Sequence, residues 1–295
     1  MKTLDIKHLL YFIEVANEKS FSRAAENLYI TQPTISKMIK NLEEELGVTL
    51  FDRSKKQLTL TDAGKTMLEQ AKLIDLAFHK LEEEMDNLLG LKKGHIRIGL
   101  PPIFEAHMFL KIVSDFHEKY PGITFQLVEE GSKKIEDSVE NNFLDIGVVV
   151  LPTKTELFEH FPLMEEELKL ILHLSHPLAN RQEVELAELA DENFILFNSD
   201  FVLNDRIIHS CKSAGFNPTI IAESSQRSFI EDMVSWKLGI AFLPESVCQH
   251  LNKNIQSIKV VNPTICWKLG VIWSKNQYLS SAVKELLEFT HKRHE

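Results

Sequence analysis

Apolar residues fall at helical spacing repeatedly near the start of the chain. Leu9, Leu10, Phe12, Ile13 and Ala16 predict a helix from about Asp5 to Ala16. Ala24, Ala25 and Leu28 predict a shorter second helix, which the Ser20 hydroxyl is placed to cap. Ile35, Met38, Ile39, Leu42 and Leu46 form the apolar stripe of a third, capped at Thr31 and stopped at Gly47. Tyr29 and Ile30 make the turn between these two helices. Pro33 stands in the first turn of the third, where its missing N–H costs little. The opposite side carries Gln32, Thr34, Ser36, Lys37, Lys40 and Asn41.

Two short helices joined by a tight turn, the second polar and basic at its start, suit entry into a DNA major groove. Gln32 can pair with adenine or a phosphate, and Lys37 can reach guanine acceptors or the backbone. Glu43, Glu44 and Glu45 would be repelled by phosphate, so only the first two turns should enter. Residues 48–61 then read as a β-hairpin wing, with Leu58 and Leu60 alternating beyond a basic tip of Arg53, Lys55 and Lys56. Ser20, Arg23, Thr31, Gln32, Pro33, Thr34, Ser36, Lys37, Lys40, Arg53, Lys55 and Lys56 are the expected DNA-contacting residues. A plain helical bundle with a solvated polar face is the alternative for residues 1–61.

A third pattern follows. Met67, Ala71, Ile74, Phe78, Leu81, Met85 and Leu88 are spaced 4, 3, 4, 3, 4, 3, a heptad seam along residues 62–90. A helix that long spans about 40 Å. It needs a partner for its apolar stripe, either a second copy or its own chain. Leu91–Gly94 reads as a hinge. From His95 the periodicity alternates between strand and helix. Strands are expected at His95–Leu100, Thr124–Val128, Leu144–Val150, Leu168–Leu174, Phe194–Phe197, Thr219–Ala222, Ile240–Leu243 and Cys266–Trp273. Helices are expected at Ala106–Tyr120, Ser132–Asn141, Leu203–Ala214, Ser228–Leu238 and Ser281–Lys292. Such alternation argues for α/β lobes with ligands at strand ends. The fold class expected is therefore mixed: an all-α winged helix-turn-helix, a long linker helix, and an α/β two-lobed domain.

Strand ends supply the candidate cleft. Pro101 and Pro102 follow the first strand and precede a helix whose backbone N–H groups can bind an anion. Ser132 can cap the next helix. Asn198, Ser199 and Phe201 follow one strand, and Ser224 and Ser225 another. Each taken singly also fits an ordinary cap or turn.

The residues Phe12, Ser20-Phe21, Ala24-Ala25, Leu28, Thr31-Gln32-Pro33, Ser36, Ile39, Leu42-Glu43, Leu46-Gly47, Leu50-Phe51, Arg53 and Thr61-Ala63-Gly64 resemble the signature of LysR-type transcriptional regulators. Leu144–Gly147, His176-Pro177-Leu178 and Gly239–Pro244 resemble that family's later landmarks. The resemblance covers nearly the whole chain. It implies a winged-helix DNA reader at 1–61, a dimerising helix at 62–90, and a periplasmic-binding-protein-like effector domain at 91–295. It places lobe I at about 91–165 and 265–295, lobe II at about 166–264, and an effector cleft between them. It further implies that Gln32, Pro33, Ser36 and Lys37 face bases, that Arg53 serves the wing, and that dimers pair into homotetramers. Lys37 stands where the family often has Arg or His, which gives up the two-pronged base contact. Pro101-Pro102 stands where many members have Ser or Thr. Leu100-Pro101-Pro102 is similar to a subgroup tied to acetate and pyruvate metabolism, and a small carboxylate is the expected effector. Peroxide-sensing members use two cysteines in this half. Cys211 matches the resolving position, but Val202 stands at the reactive one.

Composition agrees. The net charge of −10 is uneven, with nine basic against eight acidic residues through position 60 and 24 against 35 beyond it. The acidic excess outside the reading head discourages non-specific coating of DNA. Three cysteines, Cys211, Cys248 and Cys266, make no disulfide framework, and Cys248 and Cys266 read as buried. The start of the chain lacks a secretory h-region, and no apolar stretch is long enough for a bilayer, so the cytoplasm is expected. No phosphate loop, His-Glu-x-x-His motif or Cys-x-x-Cys motif occurs. His173 and His176 are too isolated for a metal site, and neither cofactor nor catalytic residue is expected. The expected partners are promoter DNA, a small-molecule effector, a second copy of the chain and RNA polymerase, with no membrane. A cytoplasmic solute-binding protein, a thiol-based redox regulator and an enzyme are the competing readings.

Overall fold

The N-terminal core forms because three short helices each bury one stripe. A computed structural model describes residues 5–52, 58–87, 93–103 and 107–292. Helix α1 (Ile6–Glu18) is capped by Asp5, whose carboxylate accepts the Lys7 N–H at 3.0 Å. Helix α2 (Phe21–Asn27) is capped by Ser20, whose hydroxyl accepts the Arg23 N–H at 3.3 Å. Tyr29 turns the chain at φ +54°. Helix α3 (Gln32–Leu46) starts after Thr31, but the Thr31 hydroxyl pairs with Thr34 Oγ1 at 2.8 Å instead of capping a backbone N–H. Leu9, Phe12, Val15, Ala24, Ile35, Ile39 and Leu42 close the core with Leu50 and Phe51. Strands β1 (Phe51–Asp52) and β2 (Thr59–Leu60) pair antiparallel as the base of the wing. The basic tip residues Arg53, Lys55 and Lys56 lie outside the described residues.

Helix α4 (Asp62–Asn87) carries the heptad seam, and burial divides it. Ala71 is buried and Met67 packs beside it in the N-terminal core. Assigning these two to a dimer contact therefore needs correction: α4 crosses α1 there, so the first turns of the seam face their own chain. Ile74, Phe78, Leu81 and Met85 remain 39–59% exposed. Leu88 lies outside the described residues.

Residues 89–295 form a second compact unit. Strand β3 (Gly94–Leu100), helix α5 (His107–Lys119), strand β4 (Ile123–Glu129), helix α6 (Ser132–Glu140) and strand β5 (Ile146–Val150) build a parallel sheet. Gly94, expected in a hinge, instead opens β3. A Cβ there would stand 3.0 Å from that of Ala282, a tight contact that glycine avoids.

Strand β6 (Phe158–His173) is much longer than the expected Leu168–Leu174. Glu165–Glu167 and Pro162 hide its first half. A bulge opposite Leu269 and Gly270 accommodates the proline without breaking the ladder. Strand β7 (Glu183–Glu185), strand β8 (Asn193–Phe197), helix α7 (Val202–Ser213), strand β9 (Thr219–Ser224), helix α8 (Arg227–Ser235) and strand β10 (Ala241–Pro244) follow. Strand β11 (Ile255–Val261) runs on into strand β12 (Cys266–Ser274), and helix α9 (Ser281–His291) closes the chain. The sheet order is β4-β3-β5-β12-β6-β11-β7, with β10 on the free side of β6 and β8–β9 as a separate pair. The first half of β6 pairs with β12, and its second half pairs with β10 and β11. Two antiparallel runs, β6 and β11–β12, thus pass from one lobe to the other.

Candidate DNA interface and effector cleft

Helix α3 separates its faces sharply. Ile35, Ile39 and Leu42 are fully buried, while Gln32, Pro33, Thr34, Lys37, Lys40 and Asn41 are exposed. Ser36 is half-buried, and its hydroxyl accepts from Gln32 Nε2 at 2.9 Å, which holds the amide along the helix. Arg23 is exposed on α2. Lys40 pairs with Glu44 at 3.5 Å, one turn further from the helix start. Glu43 was expected only to repel phosphate. Its Oε1 instead accepts the N–H groups of Leu50 at 2.7 Å and Phe51 at 3.2 Å, tying the helix to the wing.

In the second unit the two lobes meet where α6 and α7 begin. Gly131 precedes α6, and a Cβ there would stand 2.5 Å from the Asp200 carbonyl oxygen. Lys133 Nζ lies 2.6 Å from Asp205 and donates to the Ser199 carbonyl at 2.6 Å. Lys134 reaches Asp200 at 3.1 Å. Arg206 donates to the carbonyls of Leu151 at 2.7 Å and Cys266 at 2.5 Å, and burial pulls its pKa below the ordinary value. Sequence reasoning missed these bridging residues. Their charges look like solvated helix faces until the lobes are brought together.

The expected cleft residues sort differently. Pro101 is buried and Pro102 half-buried at the end of β3. Helix α5 is described from His107, and residues 104–106, between it and the prolines, lie outside the described residues. Ser132 does not cap α6, because Gly131 occupies that position. Its buried hydroxyl instead accepts the Val150 N–H at 3.2 Å. Phe201 is no exposed wall: it is buried, with its ring centroid 5.0 Å from that of Phe197. Asn198 is half-buried and Ser199 exposed at the lobe junction. The Asn198 N–H donates to the Ser224 carbonyl at 3.2 Å, which brings the ends of β8 and β9 together. The Ser224 hydroxyl accepts the Gln226 N–H at 3.1 Å, and Ser225 is exposed.

Burial pushes the Cys211 and Cys248 thiols up to about 12. Cys211 is buried in α7 and Cys248 half-buried, whereas Cys266 is exposed. The expectation of a buried Cys266 fails because β12 alternates, with Ile265 and Trp267 facing inward on either side of it. His173 Nδ1 pairs with Ser175 Oγ at 2.8 Å, and His176 with Glu192 at 3.2 Å. Among the described residues, no three metal-binding side chains gather, and no helix is long and apolar enough to cross a membrane.

The profile of the bacterial regulatory helix-turn-helix protein, lysR family, matches residues 6–65, and that of the LysR substrate binding domain matches residues 89–295. The chain belongs to the LysR family of transcriptional regulators. It is 51% identical over 288 residues to an uncharacterized HTH-type transcriptional regulator, YwbI, of Bacillus subtilis (strain 168), covering 97% of this chain and 96% of that protein. The transcriptional dual regulator GltC of the same organism is 32% identical over 288 residues, with the same coverage of both chains. Among solved structures, full-length CbnR in complex with its target DNA superposes with a TM-score of 0.79 at 20% identity, covering 98% of this chain and 99% of that one. This likeness shows a shared fold. As a LysR-type regulator, the chain combines a DNA-binding helix-turn-helix with an effector-binding domain.

Proposed function

We propose that this regulator reads promoter DNA through the first two turns of α3 and answers to a small carboxylate held between the lobes of residues 91–295. One observation carries the DNA reading. Gln32, Thr34 and Lys37 stand exposed at the start of α3, above a stripe of fully buried Ile35, Ile39 and Leu42. Arg23 from α2 and Arg53, Lys55 and Lys56 of the wing supply phosphate contacts in this reading. The DNA complex of CbnR supports it by analogy of fold. Residues 1–61 act as the reader and 62–90 as the dimer helix. The exposed half of the α4 seam pairs with a second copy, and pairs of dimers form tetramers that present two readers to promoter DNA beside RNA polymerase in the cytoplasm. A thiol switch is disfavoured, because burial holds the Cys211 thiol protonated at neutral pH.

A carboxylate is the proposed effector because uncharged groups, Asn198 and Ser225, follow the joined ends of β8 and β9. Such groups can donate charge-assisted hydrogen bonds. The effector must favour one lobe arrangement over another, otherwise no signal leaves the cleft. A thermal-shift screen of small carboxylates on the full chain, followed by calorimetry, tests this. Asn198→Ala should weaken the carboxylate found by about ten- to a hundredfold, the worth of one hydrogen bond to a charged group. Undiminished affinity would move the effector site elsewhere.

A further inference from the structure

Lobe II holds a polar cavity at its far end from the interlobe cleft. Its volume is about 230 Å³, and His173, Ser175, His176, Glu192, Lys237 and Gly239 help to line it. Three strand ends meet there. Strand β6 ends at His173, β8 begins at Asn193, and β10 begins two residues after Gly239. Ala241 of β10 lies opposite Ile171 of β6, and the Ile240 N–H donates to the Asn193 carbonyl at 2.8 Å. A Cβ on Gly239 would collide with that same carbonyl oxygen, so glycine lets these segments close up. The lobe junction follows the other end of β8, at Asn198, more than about 13 Å along the strand.

Local hydrogen bonds fix the chemistry of the lining. His173 Nδ1 accepts the Ser175 N–H at 2.9 Å, and His176 Nδ1 accepts the Leu178 N–H at 3.2 Å. A ring nitrogen that accepts carries no proton, so each neutral imidazole bears its proton on Nε2 and donates from there. His176 Nε2 donates to Glu192 Oε2 at 3.2 Å. Glu192 Oε1 and His173 Nε2 have no partner among the described residues. Lys237 follows α8 at φ +63°, a backbone conformation that glycine adopts with least strain. Its ammonium also has no partner among the described residues. One small cavity therefore offers a carboxylate oxygen, an imidazole donor and an ammonium, all three open to a ligand.

We propose that this cavity binds a free α-amino acid. A site lined by both signs of charge complements a molecule that carries both. Lys237 and His173 Nε2–H take the ligand carboxylate and Glu192 takes its ammonium, each through a charge-assisted hydrogen bond. The volume is below the range of sites for drug-sized ligands, which suits a molecule of this size. The site does not depend on the carboxylate reading of the interlobe cleft.

The test is calorimetry on the full chain with L-alanine, L-serine, L-aspartate, L-glutamate and L-lysine. The acid that lacks the amino group of the tightest binder serves as a single-charge control. That acid should bind at least about tenfold more weakly than the amino acid. Lys237→Gly should weaken the amino acid about ten- to a hundredfold. It should melt no lower than the parent, because glycine suits the left-handed backbone there. Glu192→Gln should weaken the amino acid by a similar factor but not the single-charge acid, because the lost charge faces only the ammonium. Asn198→Ala, at the lobe junction, should leave amino-acid affinity unchanged. The proposal is overturned if the parent binds no panel member, or if Lys237→Gly and Glu192→Gln both keep parental affinity. An acid that binds as tightly as its amino acid also overturns it. Binding lost in Asn198→Ala but kept in Lys237→Gly would place the amino acid in the interlobe cleft and overturn the site proposed for it.

Discussion

Cys211 and Cys266 show how much the setting of one residue type decides. Cys211 sits inside α7 with its thiol pushed up to about 12, and Cys248 is held at about 12 by burial. Cys266 faces outward at the start of β12. Thiolate is the reactive species, so native protein at pH 8 should give one rapidly reacting thiol with an aromatic disulfide reagent, and that reactivity should disappear in Cys266→Ser. Fast labelling of Cys211 in native protein would reopen the redox reading. Glu43 makes the same point for charge. Its residue type suggested only repulsion from DNA, but its carboxylate accepts two backbone N–H groups and fixes the entry into the wing.

At the scale of elements, α4 is the sharpest case. Its seven-position seam is regular in sequence, yet it serves two purposes, with Met67 and Ala71 in the N-terminal core and Ile74 to Met85 left exposed. Ile74→Asp together with Leu81→Asp should therefore leave the reading head folded, while sedimentation shows loss of the dimer and weaker operator binding through lost avidity. A double variant that stays dimeric would place the interface elsewhere. Helices were legible because three- and four-residue spacing survives in the sequence, and α1, α3 and α9 lie within two residues of their expected limits. Strand β6 was half hidden, because a proline and three consecutive glutamates mask a ladder that a bulge and the partner strand β12 sustain. Strands β7 and β11 were missed altogether. The cleft was least legible: Ser132 and Phe201 have the right residue types, but their side chains turn inward, to Val150 and Phe197. The bridging Lys133, Lys134 and Arg206 declare themselves only when distant segments meet.

For the whole molecule, the acidic balance and the polar start of α3 fit one division of labour. The chain carries a net charge of −10, so its affinity for DNA must come from a few placed groups and not from bulk attraction. Lys37 is the basic side chain on the groove-facing start of α3, and Lys40, one turn on, is already paired with Glu44. Helix α3 is the proposed reader of base sequence. The direct measurement is fluorescence anisotropy of the full chain and of Lys37→Ala, on the DNA upstream of its own gene and on a scrambled duplex, at several salt concentrations. The parent should prefer the upstream DNA. Lys37→Ala should lose about 1–3 kcal/mol on it and much less on the scrambled duplex. A Lys37→Ala protein that keeps the parent's affinity and preference at every salt concentration would contradict the assignment of α3 as the reading helix.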